Sequence, residues 1–309
     1  EGSEARKVGD YYASFMDEKA IEARGIAPLQ AQLTAIAAIA DKKALARAIG
    51  ESLRADVDPL NNTNFQTENL FGIWVAPGFT DSDHYTPYLL QGGLGIPSRD
   101  YYLGTGAKMK AAQAAYKIYV AAALKLAGVA DSDKKAAAIF DLETGIAKVQ
   151  ESIVDSQDVV KANNVWARAD FTKKVPGLDW EQSFEGAGLT RPGNFIVWQP
   201  SAFTGLSKLI ADTPLETWKA WLAFHRVNHF APELPKAFVD ARFGFYGKAL
   251  SGTPQQQDRW KRGVNLTNDA LGDAVGKLYA AKYFPPESKA KAEMMVKNII
   301  AAWGRRIDA

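Results

Sequence analysis

Three histidines are the chain's whole stock of imidazole, and two stand four apart in His225-Arg226-Val227-Asn228-His229. Residues at i and i+4 share one helix face, so both rings could reach a single metal ion. A zinc-peptidase helix needs Glu directly after its first histidine, as the base for metal-bound water. Arg226 occupies that position here. A cation beside a dication is electrostatically wrong, and the base is missing. The pair therefore reads as two polar side chains on an amphipathic helix, hydrogen-bonded or solvated, with a shared metal as the alternative.

Other chemical patterns fail in the same way. Gly272-Asp273-Ala274-Val275-Gly276-Lys277-Leu278 looks like a phosphate loop, but it is one residue short. Leu278 also stands where a magnesium-binding Ser or Thr is required. Small residues that let two helices approach are the better reading. Gly93-Leu94-Gly95 leads into Ile96-Pro97, not a helix start, which argues against a dinucleotide site. Asp81-Ser82-Asp83 lacks the Gly and final Glu of a calcium loop. No Gly-x-Ser-x-Gly elbow occurs. With no cysteine, disulfides, thiolate-bound zinc and cysteine nucleophiles are excluded. The eight tryptophans sit mostly at helical spacing among apolar neighbours, as core residues do.

The elements that would position a site are mainly helical. Val8, Tyr11, Tyr12 and Phe15 mark one helix over 5–17. Helices are expected over 28–40, 41–53, 107–127, 131–155 (with Asp131 as cap), 179–186, 202–212, 215–230, 235–250, 254–282 and 286–306. Phe71, Ile73 and Val75 alternate as in a half-buried strand, and 85–90 returns as its partner. A short strand is expected at 195–198, and 163–178 reads as irregular. The fold class is mainly α: one large helical domain over 1–309 with a small β-hairpin or sheet element at about 69–103.

Lys and Arg number 37 against 35 Asp and Glu, a net charge of +2. That balance does not suit a dedicated nucleic-acid binder. The most apolar stretch, 118–129, is interrupted by Lys125 and is too short to span a membrane. Met295, Ile299, Trp303 and Ile307 share one helix face close to the last residue. Such a face needs something to pack against, so a piece of a larger protein is expected.

Several long stretches are more specific than any short motif. They include Arg6-Lys7-Val8-Gly9-Asp10-Tyr11-Tyr12-Ala13-Ser14-Phe15-Met16-Asp17 and Gly92-Gly93-Leu94-Gly95-Ile96-Pro97-Ser98-Arg99-Asp100-Tyr101-Tyr102-Leu103. Val197-Trp198-Gln199-Pro200, Asp212-Thr213-Pro214-Leu215-Glu216-Thr217-Trp218 and Arg259-Trp260-Lys261-Arg262-Gly263 follow in order. In these the chain resembles the neprilysin-like zinc metallopeptidases, the bacterial secreted members above all.

The resemblance implies a division of labour. The family's catalytic third follows the part seen here and carries an Asn-Ala-x-Tyr strand, a His-Glu-x-x-His helix and a further Glu ligand. None of these motifs is present, so no catalytic or metal-binding residue carries over to this chain. Zinc is implied for the intact enzyme and none for this chain. The implied role is the large helical domain that encloses oligopeptide substrates and excludes folded proteins, inactive alone. The implied partners are those peptides and the catalytic segment, in the same polypeptide or as a separate nicked chain. The implied location is periplasmic or secreted. Arg99 and Asp100, as an internal ion pair, and the polar pair Asn163 and Asn164 are the candidate cavity or structural residues. The alternative is a stand-alone helical peptide-binding or scaffold protein without a protease half.

Overall fold

Helical periodicity is obeyed along most of the chain. The computed structural model describes residues 2–54, 56–58, 60–61 and 67–307. Helix α1 (Glu4–Met16) is capped by the Ser3 hydroxyl, which accepts from Arg6 N, a start signal the spacing of apolar residues does not show. It is followed by α2 (Glu18–Arg24), α3 (Ala27–Ala37) with Pro28 in its first turn, and α4 (Lys42–Glu51), capped by Asp41. Strands β1 (Phe71–Pro77) and β2 (Tyr85–Gln91) form the expected antiparallel hairpin, with Phe71 opposite Gln91 and Pro77 opposite Tyr85.

The next helices are α5 (Arg99–Leu103), α6 (Ala107–Leu126) and α7 (Ser132–Val149). Asp131 is not the side-chain cap expected of it: it lies in the left-handed region at φ 54° and its carboxylate makes no cap bond. Helix α7 also ends before residue 155, because Gln150 is drawn elsewhere. Its carbonyl accepts from Arg99 Nη1 at 2.6 Å and its amide donates to Gly92 O at 2.8 Å. Two single turns follow, α8 (Ile153–Ser156) and α9 (Val159–Ala162).

The stretch read as irregular is ordered. It holds β3 (Val165–Ala167) and α10 (Arg168–Lys174). Burial of Phe171 among Trp166, Trp180, Phe184 and Phe195 supplies the organising force that local patterning cannot reveal. After α11 (Trp180–Gly186), strand β4 (Asn194–Val197) runs parallel to β2 and antiparallel to β3. The sheet is four-stranded, ordered β1-β2-β4-β3, so the hairpin is only its first half.

Then come α12 (Pro200–Asp212), α13 (Leu215–Phe230), a 3-10 turn (Ala231–Glu233) and α14 (Lys236–Arg242). A π-helical segment over Phe243–Leu250 continues α14. Helix α15 (Arg259–Tyr283) starts five residues after Pro254 and breaks at Leu271. Helix α16 (Pro286–Ile307) closes the chain. Gly272 and Gly276 have no atom near their missing side chains, so they are not a helix-packing seam. The close approach is at Gly263, where a Cβ would sit 3.0 Å from Phe15 and Tyr12 of α1.

The described residues divide into two compact units, Glu1–Glu18 with Gln257–Ala309, and Lys19–Gln256. In the second unit an aromatic-rich core runs through α4, α6, α7, α11, α12 and α13. Among the described residues no helix is long and apolar enough to cross a membrane.

Candidate functional site

Helix α13 is apolar nearly all round. Trp218, Trp221, Leu222, Phe224 and Val227 are buried, so its polar residues must find partners inside the protein. His225 does so on both nitrogens. Nε2 donates to Glu143 Oε1 at 2.8 Å, and Nδ1 lies 3.2 Å from Glu68 Oε2. Burial opposes the imidazolium, but its hydrogen bonds to Glu143 and Glu68 outweigh that and hold its pKa up at about 9. Burial likewise penalises the Glu68 carboxylate. The hydrogen bonds from His225 and His229 prevail and hold it far below the usual carboxylate range.

Glu143 is the centre of a wider hub. It sits on the apolar stripe of α7 with Ile139, Leu142 and Ile146, and is fully buried. Its Oε2 accepts from Tyr102 of α5 at 2.6 Å and from Tyr116 of α6 at 2.8 Å. The Tyr102 hydroxyl in turn accepts from Ile96 N at 2.9 Å. Tyr246, delivered by the π-helical segment, donates to Gly95 O at 2.7 Å. Asn228 donates to Glu68 Oε2 at 2.5 Å and accepts from Tyr119 at 2.5 Å. Burial pushes the Tyr102, Tyr116 and Tyr246 phenols well above their ordinary pKa, so they serve as neutral donors. Gly95 is required here, since a Cβ would lie 1.8 Å from Tyr116 Oη.

This arrangement ties α5, α6, α7 and α13 together. Every oxygen of Glu143 and both nitrogens of His225 face a partner inside the protein. The same geometry answers the metal question. Zinc needs neutral imidazole lone pairs converging on one point. Here His225 is charged and divided between carboxylates on opposite edges of its ring, with Trp221 packed 4.3 Å away. Among the described residues no group of three His, Asp or Glu side chains has a metal-binding arrangement. The histidine pair does not fit the group.

The predicted candidates are placed as follows. Arg99 and Asp100 do not pair: Arg99 reaches Gln150 O, while Asp100 is exposed in the first turn of α5, its N–H bonded to Ser98 Oγ. Neighbours in the first turn of a helix point to different faces, so the pair has no shared geometry. Asn164 donates to Lys161 O, its carbonyl accepts from Val197 N, and Asn163 is exposed. Structure brings none of these four to the hub. The residues that sequence reasoning missed are Glu143, Glu68 and the tyrosines. Glu143 was signalled by its acidic side chain at a core position of α7.

A second feature lies in the other unit. No residue of α16 is buried. Met295 is 61% exposed, Ile299 55%, Trp303 65% and Ile307 78%, with Met294, Val296 and Ile300 exposed beside them. Trp260 of α15 is 52% exposed, so the core reading holds for Trp166, Trp180, Trp198, Trp218 and Trp221 but not for Trp260 and Trp303.

Comparison with known proteins agrees with this picture. Residues 1–309 match peptidase family M13 through its N-terminal domain. Endothelin-converting enzyme-like 1 of Mus musculus is 24% identical over 99% of this chain and 40% of its own length. Neprilysin-3 of Drosophila melanogaster is 25% identical over 96% and 39%. The open-state structure of the Mycobacterium tuberculosis zinc metalloprotease Zmp1 superposes with a TM-score of 0.86, at 33% identity over 96% of this chain and 45% of that one. The inhibitor complex of the same protease gives 0.83 at 32% identity. The chain thus spans about two fifths of the curated relatives it matches. With the match running over its whole length, the chain belongs to peptidase family M13, as an N-terminal portion of a neprilysin-like zinc metallopeptidase.

Proposed function

We propose that this chain is the substrate-enclosing helical part of a zinc metalloendopeptidase that hydrolyses oligopeptides, and that it is inactive alone. The observation that carries the reading is the fate of its histidine pair. His225 is buried in a structural hub and His229 is turned to Asp58 and Glu68, in a chain that matches a zinc-peptidase family along its full length. Zinc and the reacting groups then belong to the catalytic segment, as the resemblance implies. A closing domain of this kind controls water and limits substrate size. The exposed apolar face of α16 supports a partner of that sort and opposes a stand-alone scaffold, because free-standing proteins rarely leave such a face open. The family's secreted bacterial members favour a periplasmic or extracellular setting.

The test is a pair of mass spectra, native and denaturing, of this chain co-expressed with the polypeptide encoded after Ala309. The reading expects a zinc-containing native species heavier than the 33.7 kDa chain that releases a dissimilar chain on denaturation. Finding the 33.7 kDa species by itself would move the function from catalysis to binding.

A further inference from the structure

The hub has a second end that the family assignment does not use. Asp58 and Glu68 both precede β1, and both are held by one face of α13. Glu68 Oε2 meets His225 and Asn228, while Glu68 Oε1 lies 3.6 Å from His229 Nδ1. Asp58 Oδ2 lies 3.0 Å from His229 Nε2 and 3.3 Å from Arg226 Nη1. Glu233 of the 3-10 turn lies within electrostatic reach of His229, Arg242 of α14 and Asp58. Three buried atoms here, His229 Nε2, Glu233 Oε2 and Arg242 Nε, lack an aligned hydrogen bond.

We propose that His225 and His229 form a proton-held clasp, with Glu233 beside it. It fastens Asp58 and Glu68 to α13 while the imidazoles keep their protons, and it loosens on the alkaline side of neutrality. The carboxylates facing the clasp favour charged imidazoles, and Arg226 opposes them. Glu143 of α7 and Glu68 favour the charged His225, and the neutral tyrosines of α5, α6 and the π-helical segment surround them. Burial opposes charge on His229, but Glu68 and Asp58 outweigh it and raise its pKa, against Arg226. Burial pushes Glu233 up to about 7, with Asp58 adding to this and His229 and Arg242 opposing it.

The linkage follows from these directions. His225 is held at about 9 against an ordinary 6.5. Its contribution is complete below 6.5 and is lost as pH rises through 9. His229 carries the same sign. Glu233 is neutral in the fold up to about 7 against an ordinary 4.5, so ionising it costs stability between those values. Stability therefore declines from mildly acidic to alkaline pH, whereas stability resting on carboxylates with lowered pKa would be lost toward acid.

The experiment is the urea midpoint of the 309-residue chain from pH 5 to 9.5, with a histidine-resolved NMR titration. The midpoint should fall by about 1 M between pH 6 and 9, and one imidazole should remain protonated at pH 8. Glu233→Gln should flatten the acidic part of the profile and His229→Gln the alkaline part. His84→Gln, at an exposed loop residue, should change neither. If His229→Gln fails to fold, Glu233→Gln and the wild-type titration still decide. A midpoint that is flat or rising from pH 6 to 9, or three imidazoles all deprotonated by pH 7.5, overturns the clasp.

Discussion

The hub around Glu143 and the outer face of α16 solve opposite problems with similar helices. Helix α13 puts polar side chains into a core, where His225 and Asn228 find partners on α6, α7 and the segment before β1. Helix α16 leaves apolar side chains in water with no buried residue to anchor them. A buried charge network whose members find partners helps specify how its own unit closes. An uncovered apolar stripe specifies nothing until something packs on it. The contrast separates residues packed inside the fold from an apolar face left exposed. Histidines, which invite a catalytic reading, fall in the first class.

Breaking the hub should cost most. Glu143→Ala leaves a buried imidazolium without its main partner, and about 3–5 kcal/mol of stability should disappear from urea unfolding. Gly95→Ala forces a Cβ to within 1.8 Å of Tyr116 Oη. The phenol is fully buried and bonded to Glu143, so it cannot step aside freely. A loss of about 2 kcal/mol is expected in the same assay. Removing the cap of α1 by Ser3→Ala should cost about 1 kcal/mol, read from the helical signal during thermal unfolding. At the other extreme, Trp303→Ser on α16 should change the chain's own stability by less than about 0.5 kcal/mol. It should weaken association with the downstream polypeptide in a pull-down. A large stability loss from Trp303→Ser, with none from Glu143→Ala, would reverse the comparison.

The helices and the hairpin were legible because periodicity reports which face is buried. Helix α13 was bounded by Pro214 and by the end of its apolar run, and β1 by strict alternation. What escaped depends on distant partners. Gln150 stops α7 only because Arg99 and Gly92 claim it. Strand β3 is three residues long and exists because β4 lies beside it. The hub joins residues up to 160 positions apart, as between Asn228 and Glu68, and no local pattern encodes that. Arg226, which counts in the sequence against a zinc pair at His225 and His229, engages Asp58 at 3.3 Å.

The central claim is that this chain folds around its charged residues and leaves catalysis elsewhere. The most direct measurement is hydrolysis of a quenched oligopeptide by the pure 309-residue chain with added zinc, with and without chelator. The account predicts no chelator-sensitive turnover and no bound zinc after dialysis. Cleavage that chelator abolishes and zinc restores would contradict it, and would return His225 and His229 to consideration as ligands.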